Sequence, residues 1–236
     1  MDPRLKSIID NFDAMKIGLD DTFHFGCRQC GKCCINREDI LLNAKDVYNL
    51  CNALSLTPGQ VMEQYCEVYI GQDSRLPIVR LKPQGSIKRC PLLKDRKCSV
   101  HNLKPAVCAM YPIGRAIRID TCEAGSKDLQ TLTPVYLYNK TACGDASESH
   151  TVREWLTMFG IPVNDPCFSA WHRTILSASQ FVRKAEKKLP GHTMTKLWEL
   201  IHAALYLFYN PCDDFLPQFQ ANSHKLLALL KDIPLE

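Results

Sequence analysis

Apolar residues fall into two patterns along this chain. Up to about residue 146 they come in short alternating or clustered runs, and beyond it they recur at helical spacing. In the first part, "ILL" predicts a short strand, and Asn43 caps a helix carrying Val47, Leu50, Cys51 and Leu54 on one face. Thr57, Pro58 and Gln60 supply a capping residue, a proline at the first helical position and a reciprocal partner, which predicts a second helix through Tyr65. Cys51 and Cys66 are expected as buried thiols on the apolar faces of these helices. "LPIVRLK", "RAIRID" and "TPVYLY" read as short strands, and "CPLLKDRKCSVHNLKPAVCAMYP" between the first two as a loop-rich segment.

Further on, Thr151 and Glu154 form a capping box before "VREWLTMF", which stops at Gly160. Asp165 and Pro166 open a long helix, and "TKLWELIHAALYLFY" and "SHKLLALLKD" give two more, with Pro211 and Pro217 as breaks. Trp155, Trp171 and Trp198 are expected in the core of these helices. The pattern predicts an α+β fold: a small, irregular, metal-stapled cysteine-cluster domain with short strands and helices over 1–146, and an all-helical region over 147–236.

Composition narrows the chemistry. The chain has 236 residues, enough to bury a core without metal, and a net charge of +4 spread without a dense basic stripe, so nucleic acid is not indicated. The N-terminal stretch lacks the apolar core of a signal peptide, and no run is long and apolar enough to span a membrane, so the expected location is the cytoplasm. In a reducing compartment, thirteen cysteines point to metal ligation or redox chemistry and away from a disulfide framework.

Eleven of those cysteines precede residue 146, and four stand in "CRQCGKCC". Cys27, Cys30 and Cys33 form two successive C-x2-C steps, each of which lets a turn present two sulfurs to one centre. Three such sulfurs followed elsewhere by a Cys-Pro, here Cys90-Pro91, resemble the ligand run of ferredoxin-type iron-sulfur sites. Neighbours in an extended chain point to opposite sides, so Cys33 and Cys34 are expected to serve two metal sites or one polynuclear site. The remaining ligands should come from the downstream loops: Cys90, Cys98 and Cys108.

In order and spacing, "CRQCGKCC" followed by "CPLLKDRKCSVHNLKPAVCAMYP" resembles the YkgJ-type cysteine-cluster family of zinc- or iron-chelating domains. The resemblance covers roughly residues 24–146. It implies Cys143, which precedes Gly144, as an eighth ligand, with Cys122 the alternative. Eight sulfurs suit two four-sulfur centres, or one cluster and one zinc. The chain departs from the family at Lys104, at Ala109 and at His101, where arginine, arginine and an aromatic residue are usual. His101 is expected as a loop residue beside the ligands.

These features imply a metal-binding protein that holds an iron-sulfur cluster, expected as [4Fe-4S], or zinc, in a redox or protein-modification role. A distant resemblance to flagellin lysine N-methylase implies S-adenosylmethionine and a protein substrate, although no glycine-rich nucleotide motif supports that cofactor. The third reading is a zinc-stabilised module whose helical part meets a partner protein.

Overall fold

The computed structural model describes residues 3–119, 132–141 and 143–235. Cys122 lies outside the described residues. In chain order the elements are α1 (Pro3–Asp10), α2 (Phe12–Met15), β1 (Lys16–Ile17), β2 (Thr22–Gly26), β3 (Leu41–Leu42), α3 (Ala44–Leu54), α4 (Pro58–Tyr65), β4 (Cys66–Ile70) and β5 (Pro77–Leu81). There follow β6 (Leu93–Lys94), β7 (Lys97–Cys98), α5 (Ala106–Met110), β8 (Ile113–Ile119), β9 (Leu132–Tyr138), β10 (Asp145–Thr151), α6 (Val152–Met158), α7 (Pro166–Ala185), α8 (Gly191–Tyr206) and α9 (Phe215–Asp232). The fold is α+β, with small antiparallel sheets and a helical C-terminal part.

The chain forms two compact units, one from Met1–Cys33 and Ala106–Asn164, the other from Cys34–Pro105 and Asp165–Glu236. The boundary drawn from sequence at 146/147 falls inside β10, within the first unit.

The first unit contains two sheets, β1-β9-β8 and β10-β2. Alternation in "TFHFG" turns Phe23 and Phe25 inward, where both rings meet Trp155 edge-on at 5.7 Å. Trp155 is buried and donates its indole N–H to the Met110 carbonyl at 2.9 Å, so its one polar atom is satisfied. β10 reads "DASESHT", a polar run with Ala146 as its one aliphatic residue, and it becomes a strand by pairing with β2. The Thr151 capping box then starts α6, as expected, and Gly160 follows that helix at φ +62°.

In the second unit, the sheet β3-β5-β4 is built with α3, α4 and the long helices α7, α8 and α9. Val47, Leu50, Val61, Val79, Ile201, Leu205, Phe219, Leu226 and Leu230 form its buried core. The caps expected at Asn43 and Thr57 are both present as reciprocal boxes, Asn43 pairing with Asp46 and Thr57 with Gln60. Cys51 and Cys66 are buried, but Cys66 begins β4 and does not lie within a helix. Pro217 does not break the chain. It sits in the first turn of α9, where a backbone N–H would have no intrahelical partner. Of the expected core tryptophans, Trp155 belongs to the first unit, while Trp171 and Trp198 are half-buried in the second.

No described helix is long and apolar enough to cross a membrane.

Candidate metal centre

Strand β2 ends at Gly26 and delivers the cysteine run directly. Both C-x2-C steps contain a left-handed residue, Gln29 at φ +46° and Gly31 at φ +73°, so the backbone curls back at each step and does not continue as a strand. Lys32–Cys34 then complete one 3-10 turn.

Cys143 arrives from the far side of the same unit. Gly26 pairs with Asp145 across the two strands, and Gly144 has φ +72°. A Cβ on Gly144 would stand 2.6 Å from the Gly26 carbonyl oxygen and from the Phe25 ring, and one on Gly26 would stand 2.5 Å from Ser147 Oγ. At Gly144 the obstructing atoms are backbone and ring, so the missing side chain allows the approach that brings Cys143 to the cysteine run. The two sulfurs of Cys30 and Cys143 lie 3.8 Å apart.

The surroundings of this pair favour thiolate at one member. The backbone N–H of Lys32 holds the Cys30 thiol below the ordinary value, opposed by desolvation and helped by the Cys143 thiol, the Gly144 N–H and the Lys32 ammonium. Burial pushes Cys143 up to about 12, and the neighbouring Cys30 and Cys33 sulfurs add to the rise. Cys143 is further fixed by its own N–H donating to Thr141 Oγ1 at 3.0 Å, and that hydroxyl is hydrogen-bonded to Tyr111. Tyr111 also packs edge-on against Phe25. Beside the site, Arg28 pairs with Asp145, whose carboxyl is held at about 2 chiefly by the Ser147 hydroxyl and then by the guanidinium.

The structure thus brings together Cys30, Cys33 and Cys143 in the first unit. Cys27 stands at the exposed start of the same run, and Cys108 is half-buried in α5.

The other three expected ligands belong to the second unit. The Cys34 carbonyl accepts the Cys90 N–H at 2.8 Å, and Asn36 N–H donates to the Ile87 carbonyl at 2.9 Å, so the chain after Cys34 runs alongside 87–90. Cys98 sits opposite Leu93 in the β6-β7 hairpin, and Leu93 N–H returns to the Cys90 carbonyl at 3.1 Å. One small backbone network therefore carries Cys34, Cys90 and Cys98, all half-buried. His101 follows in a 3-10 turn, its imidazole basicity lowered first by burial and then by the Lys104 charge.

No disulfide joins the described cysteines. Among the described residues, no three His, Cys, Asp or Glu side chains stand arranged to hold a metal ion. The sulfurs of the Cys30–Cys143 pair nevertheless meet a test of fit. Two thiolates at about 2.3 Å from one tetrahedral ion lie about 3.8 Å apart, which is the separation found here. Cys51 and Cys66 lie apart from the cysteine run as buried core thiols, pushed by burial up to about 11 and about 12.

Sequence reasoning missed the partners of Cys143. Gly144 was visible as a glycine after a cysteine, but its close approach to Gly26 depends on strand pairing that no local pattern announces.

Residues 26–133 match a family model, CxxCxxCC, described as "Putative zinc- or iron-chelating domain". This stretch of the chain is thus similar to that family, and metal binding is the property its description carries. No curated protein and no solved structure matches the chain significantly.

Proposed function

We propose that the chain binds metal through two cysteine sets, one in each unit, and that tetrahedral zinc in these sets organises the loops for interaction with a partner protein. The first set comprises Cys27, Cys30, Cys33 and Cys143, with Cys108 in the same unit. The second comprises Cys34, Cys90 and Cys98. The observation that carries the proposal is the 3.8 Å separation of the Cys30 and Cys143 sulfurs. Two cysteines on one tetrahedral ion meet at that separation, whereas each cysteine of a [4Fe-4S] cube caps a different iron and stands farther from the others.

Zinc bound this way supplies structure: it neutralises the crowded thiolates and ties segments far apart in sequence. The chain's own part is to hold the sulfurs ready. The Lys32 and Gly144 N–H groups stabilise the Cys30 thiolate, and Thr141 orients the Cys143 backbone.

A [4Fe-4S] centre is the second reading, supported by the C-x2-C-x2-C run and by Cys90-Pro91. A role in protein modification with S-adenosylmethionine rests on the resemblance to flagellin lysine N-methylase alone.

Protein purified without oxygen decides between the metals. A colourless protein with about two zinc per chain, whose cobalt-substituted form shows the visible bands of tetrahedral thiolate coordination, supports the proposal. A brown protein with iron, inorganic sulfide and broad visible charge-transfer absorption overturns zinc in favour of the cluster.

A further inference from the structure

Residues 75–104 contain nine Lys or Arg, a single acidic residue, Asp95, and no Phe, Tyr or Trp. The whole chain carries only +4, so the rest of it is net negative. Three of these cations are spent internally: Arg75 pairs with Glu186, Arg80 with Glu67 and Lys88 with Glu38. Others gather at the tip of the β6-β7 hairpin, where Lys94, Arg96 and Lys97 are all exposed and, among the described residues, make no ion pair.

This tip is built against local preference. Lys94 and Lys97 are direct cross-strand partners, which sets two ammonium-bearing side chains side by side with their Cβ atoms about 5 Å apart, an unfavourable like-charge pair. Between them, Asp95 and Arg96 adopt φ +46° and +63°. A two-residue turn of that hand is normally made with Asn or Asp followed by Gly, and Arg in the second position is strained. A hairpin selected for stability alone would carry neither the paired lysines nor the left-handed arginine. Features of this kind collect where a surface serves something outside the chain.

We propose that the β6-β7 tip is a docking surface for an acidic segment of a partner protein, bound through Lys94, Arg96 and Lys97. An extended peptide with acidic residues at alternate positions presents its carboxylates on one face about 7 Å apart, a spacing that the paired lysines and the flanking guanidinium can span. Arg96 can hold one carboxylate through two parallel N–H bonds. The charge count favours a peptide over nucleic acid. Duplex-binding proteins with strong salt dependence neutralise about six to ten phosphates, more than this tip offers, and the absence of aromatic residues from 75–104 leaves no platform for unstacked bases.

The test uses the full-length, metal-loaded chain and three fluorescein-labelled probes followed by anisotropy at low salt: a ten-residue peptide with Glu at alternate positions, the same peptide with Gln, and a duplex DNA. The expected result is binding of the Glu peptide, no binding of the Gln peptide, and a loss on the order of tenfold in the Lys94→Gln/Arg96→Gln/Lys97→Gln variant, because each exposed pair contributes a factor of about two to five. The variant must keep its metal content and unfolding midpoint. If it does not, the single Arg96→Gln variant, which leaves both strands of the hairpin unchanged, is read instead, with an expected loss of about two- to fivefold. Unchanged Glu-peptide affinity in a folded variant overturns the proposal, as does absence of Glu-peptide binding. Tighter binding of the duplex, lost in the same variant, overturns the peptide assignment in favour of nucleic acid. None of these readings depends on whether the cysteines hold zinc or iron, so a failure here is separate from a failure of the metal assignment.

Discussion

Replacing Gly144 by alanine tests whether the approach of β10 to β2 is what builds the first sulfur set. Two costs apply. An L-residue at φ +72° is disfavoured by about 1–2 kcal/mol. The new Cβ would also lie 2.6 Å from the Gly26 carbonyl oxygen. That atom belongs to the paired backbone and cannot swing aside, so the overlap adds about 1–3 kcal/mol. Gly160 is the control, since it has φ +62° and nothing within 4 Å of its added Cβ. It bears the first cost and not the second. With about 2–4 °C lost per kcal/mol in a chain of this size, Gly144→Ala should lower the melting temperature by roughly 10 °C and Gly160→Ala by roughly 3 °C. The two should also differ in metal affinity measured by chelator competition, because only Gly144→Ala displaces Cys143 from Cys30. Equal melting shifts with metal affinity unchanged in both would refute the argument that the glycine contact assembles the site.

Two other perturbations probe the scaffold. Trp155→Phe keeps a ring in the core but removes the donor to the Met110 carbonyl, and it should cost about 1–3 kcal/mol in urea unfolding; a change below about 0.5 kcal/mol would mean that the carbonyl finds water. The buried thiols predict an alkaline limit: Cys51 and Cys66 titrate at about 11 and about 12 in the fold against 9.0 when exposed. Because their folded values are raised, the stability they contribute is complete below 9.0 and disappears as pH rises through 11 and 12. Cys66→Val should flatten the loss of stability between pH 9.0 and about pH 12 by several kcal/mol at most, and an unaltered slope would show that Cys66 does not titrate with unfolding.

What the sequence disclosed was local. The reciprocal caps at Thr57–Gln60 and Thr151–Glu154 could be read because each lies within four residues and needs no tertiary partner. Six of the thiols put forward as ligands stand out by spacing in "CRQCGKCC" and "CPLLKDRKC", whereas Cys143 came only through the family resemblance. Pairings at long range could not. β10 has no apolar pattern and exists through its register with β2, and the meeting of Cys30 with Cys143 spans 113 residues. Pro217 misled because a proline in the first turn of a helix and a proline ending one look alike without the flanking structure. The charged hairpin was equally hidden, since Lys94 and Lys97 become neighbours only when the turn at Asp95 and Arg96 closes.

The central claim is that adjacent cysteines serve different sets, and it is tested most directly by comparing Cys33→Ala with Cys34→Ala. Metal content and the alkylation of each remaining cysteine are read by mass spectrometry on anaerobically prepared protein. The account predicts partial metal loss in both variants with opposite footprints. Cys33→Ala should expose Cys30 and Cys143 to alkylation while Cys90 and Cys98 stay protected, and Cys34→Ala should do the reverse. Complete metal loss with the same exposed cysteines in both variants would contradict two sets and establish a single shared centre.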